Sequence, residues 1–170
     1  MITLNDFVTK WNNKYVEAND PSNYAQCFDL AIQWVSELGI PKNIFPYLYA
    51  YQIYTNFGTE QAKYFDRIYN SPTAVPKEGD VIVWGNNYNY AGGHVGIYRT
   101  GDVWSANIFE QNDPMKTPAH MKTYNYNYVL GWLRPKNYTN LTKEQRMLAI
   151  INSPISDSDF RNQTRTIYGV

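Results

Sequence analysis

The sequence predicts an α+β fold in which helices come first and an antiparallel sheet follows. Two observations predict it. Apolar residues in the first half recur at helical spacing, whereas from Asp80 onward they fall into short runs bounded by Gly, Asn, Asp or Pro. A length of 170 residues with 44% hydrophobic residues gives room for one ordinary core, so one domain with a short appendage is expected.

Phe7, Trp11 and Tyr15 stand four apart behind Asn5, which predicts a first helix of about three turns with Asn5 as its N-cap. The run Asn19, Asp20, Pro21, Ser22 and Asn23 is a loop by composition. Phe28, Ala31, Ile32, Val35 and Leu38 restore helical spacing, and Gly39 and Pro41 end it, so a second helix is expected over 27–38. Aromatic residues over 45–69 read as two short helices broken at Gly58 and capped by Thr59. Strands are expected at 81–84, 94–98, 103–110 and 128–133, and His120 falls in a polar loop after Pro118. Beyond Pro135, Thr142 and Gln145 have capping-box spacing for a short helix, followed by a polar run. The expected division is therefore a domain over 1–136 and an appendage or linker over 137–170.

Composition excludes several classes of function. Fifteen basic residues cancel fifteen acidic ones, so no net field draws the chain to nucleic acid or to an anionic bilayer. The amino terminus lacks the charge and apolar run of a signal peptide, and no apolar stretch approaches a membrane span. A single cysteine, Cys27, excludes an internal disulfide framework and Cys-rich zinc sites. Sixteen Tyr and five Trp exceed what a core of this size hides, which suggests a ring-lined groove for glycan or peptide.

The candidate chemistry centres on Cys27. It stands where loop gives way to helix, near unpaired backbone N–H groups and the positive end of the helix dipole, a place that favours thiolate. A small buried thiol at a helix start is the structural alternative. His94 follows Gly92 and Gly93 and leads into a strand, so it is the natural base for the thiol; the other histidine, His120, is not assigned a catalytic role. Glu110 and Asn112 lie at the end of the next strand, where one of them can reach the imidazole. Glu110 as a solvated edge charge is the alternative, and periodicity does not assign the faces there.

Five segments in order, Ala25-Gln26-Cys27-Phe28-Asp29-Leu30, Gly79-Asp80-Val81-Ile82-Val83-Trp84, Gly93-His94-Val95-Gly96-Ile97, Phe109-Glu110-Gln111-Asn112 and Gly131-Trp132-Leu133-Arg134-Pro135, resemble a CHAP domain. This is the cysteine- and histidine-dependent amidohydrolase/peptidase module of phage lysins. The resemblance covers about residues 5–136. It implies a papain-like α+β fold with Cys27 as nucleophile, His94 as general base, Glu110 orienting the imidazole and Asn112 as an auxiliary polar group. The Cys27 N–H and a second donor, Gln26 or a neighbouring backbone amide, would hold the oxyanion. Related NlpC-type peptidases typically carry Ser-Gly after the cysteine, where this chain has Phe28-Asp29.

The resemblance further implies a peptidoglycan hydrolase, cutting as N-acetylmuramoyl-L-alanine amidase or as peptide endopeptidase. Such a protein would be made in a host cytoplasm and reach the wall by holin release or with the virion, as a monomer. No cofactor is required for the chemistry. Some lysin CHAP domains bind structural calcium in the loop before the nucleophile; Asp20 and Asp29 match two carboxylate positions, with backbone oxygens of Ser22 and Tyr24 as further ligands. Ala18 replaces another loop aspartate of the family, which removes one charged ligand, and Asp29 bonding the first turn of its own helix is the alternative. Trp84, Tyr88, Tyr90 and Trp104 are candidate groove residues, with the loop over 85–93 as rim. A non-catalytic wall-binding or virion structural module on the same fold is the competing reading.

Overall fold

Val81, Val83, Val95, Ile97, Phe109 and Leu133 alternate along neighbouring strands with Ile82, Trp84, Tyr98, Ile108 and Trp132, and both sets are buried in separate clusters. The period of two therefore puts apolar residues on both faces of the sheet, the first set packing with Leu4, Phe7, Leu30 and Trp34 and the second forming a cluster of its own. The computed structural model describes residues 2–18, 25–86, 91–136 and 138. These belong to one compact unit, Met1–Tyr138.

The elements run α1 (Leu4–Trp11), α2 (Cys27–Glu37), a 3-10 turn (Lys42–Ile44), α3 (Gln52–Thr55), α4 (Thr59–Tyr64), β1 (Phe65–Tyr69), β2 (Val81–Trp84), β3 (His94–Gly101), β4 (Ser105–Glu110), β5 (His120–Asn125) and β6 (Val129–Pro135). The six strands lie in the order β1-β6-β2-β3-β4-β5, every neighbouring pair antiparallel. Helices before an antiparallel sheet is the α+β class that the sequence predicts. Leu30, Ala31, Trp34 and Val35 of α2 are buried in the core beneath β2 and β3.

Three local expectations are corrected. The first helix is capped by Thr3, not Asn5: Thr3 Oγ1 accepts from Asp6 N at 3.2 Å and Asp6 Oδ2 accepts from Thr3 N at 3.2 Å. That reciprocal pair satisfies two orphan donors, and the helix ends at Trp11, so Tyr15 lies outside it and is exposed. Residues 65–69 are strand rather than helix, because β1 zips onto β6 from Phe65↔Pro135 to Tyr69↔Gly131. His120 opens a strand instead of sitting in a loop, pairing directly with Glu110. The expected capping box at Thr142 and Gln145 lies outside the described residues.

Asp80 and Arg134, from two of the motif segments, lock β2 to β6. Arg134 Nε donates to Asp80 Oδ1 at 3.0 Å and Nη2 to Oδ2 at 2.7 Å, and Lys77 N adds a third bond to the buried carboxylate at 2.7 Å. Among the described residues no helix is long and apolar enough to cross a membrane.

Candidate active site

Cys27 is the first residue of α2 and remains partly accessible. Its turn is fixed from both sides. Asp29 Oδ2 accepts from Gln26 N at 2.8 Å and Asp29 N donates to Gln26 O at 3.1 Å. The buried Gln111, at the end of β4, reaches back across the core: its Nε2 donates to Gln26 O at 2.8 Å and to Val16 O at 3.1 Å, and its Oε1 accepts from Val16 N at 2.7 Å. The turn that carries Cys27 is therefore held by Asp29 on one side and by this carboxamide on the other. Gln111 is not among the residues expected from sequence, although its place between Glu110 and Asn112 in the matched segment is a signal for it.

His94 opens β3 and is 1% exposed. Gly93 makes its approach feasible, since its φ is 70° and a Cβ there would lie 2.5 Å from Trp84 O. The imidazole rests against the rings of Trp84 at 5.5 Å and Tyr124 at 5.9 Å. Its Nε2 lies 3.3 Å from Glu110 Oε2, which leaves Nδ1 for Cys27. Burial pulls the imidazole's pKa down, but the charge of the Cys27 thiolate and its hydrogen bond, joined by Glu110, outweigh that and push it up to about 9. The balance favours the imidazolium form of His94.

Glu110 is completely buried, with Oε2 at 3.3 Å from His94 Nε2 and Oε1 at 2.9 Å from His120 Nε2. These are charge contacts rather than well-aligned hydrogen bonds. Asn112 sits on the rim with φ 70°; its Nδ2 donates to Gln26 Oε1 at 2.9 Å and its Oδ1 accepts from Lys116 N at 2.6 Å. It thus steadies the residue before Cys27, and Glu110 is the group that faces the imidazole.

Gln26, Cys27, His94 and Asn112 line one cavity of about 310 Å³, walled by Phe28, Leu48, Tyr49, Ala50, Gly92, Gly93 and Met115. The candidate nucleophile, base, oxyanion donor and auxiliary carboxamide converge there, with Glu110 behind the imidazole. A family model for the CHAP domain matches residues 17–112, a span that holds Cys27, His94, Glu110 and Asn112. The chain belongs to the CHAP domain family.

The CHAP domain resembles solved structures as well. It superposes on a wild-type endolysin, LysIME-EF1, with a TM-score of 0.59 and 26% identity, covering 79% of this chain and 65% of that one. Ly7917, solved with the hydrolyzing product of MDP, gives 0.54 and 19% identity over 78% of this chain and 63% of that one. A second Ly7917 structure gives 0.55 and 18% identity over 78% and 60%. The chain spans less than two thirds of the length of each of these structures. No curated protein matches the sequence.

The remaining expected residues fare differently. Trp84 is buried on the sheet face that carries His94 and Tyr124, so it backs the imidazole and does not floor a groove. Trp104 is exposed in the β3–β4 connection, at the opposite end of β3 from His94, because β3 runs on to Gly101 rather than ending near the site. Tyr88 and Tyr90 lie outside the described residues. So do Asp20, Ser22 and Tyr24 of the expected calcium site. Asp29 lends both carboxylate oxygens to backbone, Oδ2 to Gln26 N and Oδ1 to Ala18 N at 3.3 Å. The described residues hold no group of three or more His, Cys, Asp or Glu suited to a metal.

Proposed function

We propose that this CHAP domain is a peptidoglycan hydrolase of phage or prophage origin that cuts a wall amide through a Cys27 thioester. The observation that carries the reading is the buried imidazole of His94 held between Cys27 and Glu110, with its pKa raised to about 9. Such a pair keeps the attacking thiolate and the proton needed by the leaving amine in contact. The likeness to an endolysin at 26% identity supports the wall as target.

Cys27 Sγ attacks the amide carbon, and the C=O π electrons move to oxygen. The oxyanion is held by the Cys27 N–H and by Gln26, whose carboxamide is oriented through Oε1 by Asn112. His94 transfers its proton to the nitrogen, the C–N bond breaks, and the amine leaves. Water, deprotonated by the now neutral His94, then attacks the thioester and releases the acid. Glu110 steadies the imidazolium throughout.

Purified Gram-positive walls, digested by wild type and by Cys27→Ala, test the reading by mass spectrometry of the soluble fragments. A lactyl-muramic acid with a new L-Ala amine identifies an amidase, and a new amine within stem or cross-bridge identifies an endopeptidase. Equal release by both proteins, or none from walls of several chemotypes, would reject catalysis and favour a wall-binding or virion structural role.

A further inference from the structure

The strand pair β4–β5 sets His120 directly opposite Glu110, and the thioester chemistry leaves this second histidine unused. Its Nε2 lies 2.9 Å from Glu110 Oε1 and its Nδ1 lies 2.9 Å from Pro118 O. Nδ1 thus faces a carbonyl oxygen, and Nε2 stands in charge contact with a carboxylate oxygen. Glu110, fully buried, thus faces one imidazole from each oxygen, His94 on Oε2 and His120 on Oε1.

The other charged groups at this end of the sheet are committed elsewhere. Lys122 Nζ pairs with Asp113 Oδ1 at 3.1 Å, and Tyr124 donates its hydroxyl to Asp113 Oδ2 at 2.8 Å. From the segment after α1, which bonds Ala119 through its backbone, Lys14 turns its Nζ to Lys10 O at 2.7 Å. From α2, Cys27 meets His94. His120 is therefore the basic group that shares Glu110 with His94.

We propose that His120 is a positioning residue that clamps Glu110 from the side opposite His94 and divides the carboxylate's charge between the two imidazoles. The proposal rests on the thiol–imidazole reading of the site given above. With His120 present, Glu110 is held beside Nε2 of His94 and stabilises that imidazolium only in part. Without it, the whole buried charge falls on His94, which then holds its proton more tightly and surrenders it to the leaving amine more slowly.

The chain has two histidines, so ring-proton NMR gives one titration curve for each, and His120→Gln leaves His94 alone in the spectrum. The expected result is a His94 midpoint about one pH unit higher in His120→Gln and in His120→Ala than in wild type. On purified walls kcat is expected to fall about tenfold in His120→Ala with KM unchanged, and less in His120→Gln, whose carboxamide can still donate to Oε1. A merely structural histidine would not move the His94 curve. An unmoved or lowered midpoint in His120→Gln overturns the clamp, as does a kcat in His120→Ala equal to wild type. The midpoint is read without turnover: a wild type that cuts no wall would reject the hydrolase reading, while the NMR arm still decides the clamp. Should His120→Ala fail to fold, the glutamine variant carries both measurements.

Discussion

Gly96 of β3 lies against Glu110 of β4 so closely that a Cβ at Gly96 would stand 3.2 Å from the Glu110 Cβ and overlap Ile108 Cγ2. The missing side chain is what lets the carboxylate lie across β3 and reach His94, two residues back on the same face.

Gly96→Ala is therefore expected to hurt catalysis beyond its effect on folding. Forcing one methyl into a packed site costs about 1–3 kcal/mol, and the yielding group here is Glu110 or Ile108. A loss of turnover of about tenfold or more on purified walls, in protein that still melts cooperatively, is the expected outcome. Gly58→Ala is the control, since its new Cβ meets only ordinary contacts, the nearest at 3.5 Å. Equal turnover in the two variants would mean that Glu110 does not depend on the space over Gly96.

Glu110→Gln keeps the shape and removes the charge. The imidazole of His94 then loses one of the causes that raise its pKa to about 9, although the thiolate's contribution remains. Its NMR midpoint is expected to fall, and turnover to drop about 10²-fold because the imidazolium is less stabilised and less well oriented. A midpoint that stays in place would show that Cys27 alone sets the state of His94.

Most of this site was legible in the sequence because its parts lie at element boundaries. Cys27 follows a turn-rich loop, His94 follows two glycines and Glu110 closes an apolar strand, and each boundary has a compositional mark. The run Val81-Ile82-Val83-Trp84 also read correctly as strand, yet four apolar residues buried on both faces hide which side each one takes, so Trp84 passed for a groove residue. His120 was missed for a different reason. Its strand, His120–Asn125, lies at the sheet edge with polar residues on both faces, and only pairing with β4 makes it extended. β1 was misread because Tyr64, Phe65 and Ile68 also fit helical spacing, and its partner β6 lies far along the chain. Thr3 and Asp6 do have the spacing of a capping box, a signal outweighed in the reading by the aromatic period starting at Phe7.

The pH dependence of stability carries the sign of His94. Its pKa is raised in the folded protein from an ordinary 6.5 to about 9, so the imidazolium binds its proton more tightly folded than unfolded. That stabilisation is fully present below pH 6.5 and is lost as pH rises through about 9. Urea midpoints for wild type are expected to fall between pH 7 and 10. Cys27→Ala removes the largest of the raising causes, so the wild type minus variant difference should shrink across the same window. A constant difference would mean that the thiolate–imidazolium pair does not form.

Gln111 offers the sharpest separation of support from chemistry, because it touches neither the cavity nor the imidazole. Its carboxamide satisfies Val16 N, Val16 O and Gln26 O together, and Val16 is itself buried. Gln111→Met fills a similar volume without polar atoms, so the cost comes from the stranded backbone groups, about 1–3 kcal/mol for each that finds no water. The expected loss of stability is about 2–4 kcal/mol, read from urea midpoints. Gln26 O is one of those groups, and Gln26 precedes the nucleophile, so the loop that aims Cys27 loosens at the same time. Turnover is then expected to fall about tenfold through kcat, with alkylation of Cys27 at pH 6 slowed in parallel. Lower stability with unchanged kcat and alkylation would place Gln111 in the core alone and leave the Gln26–Asp29 bonds as the sole anchor of the nucleophile's turn.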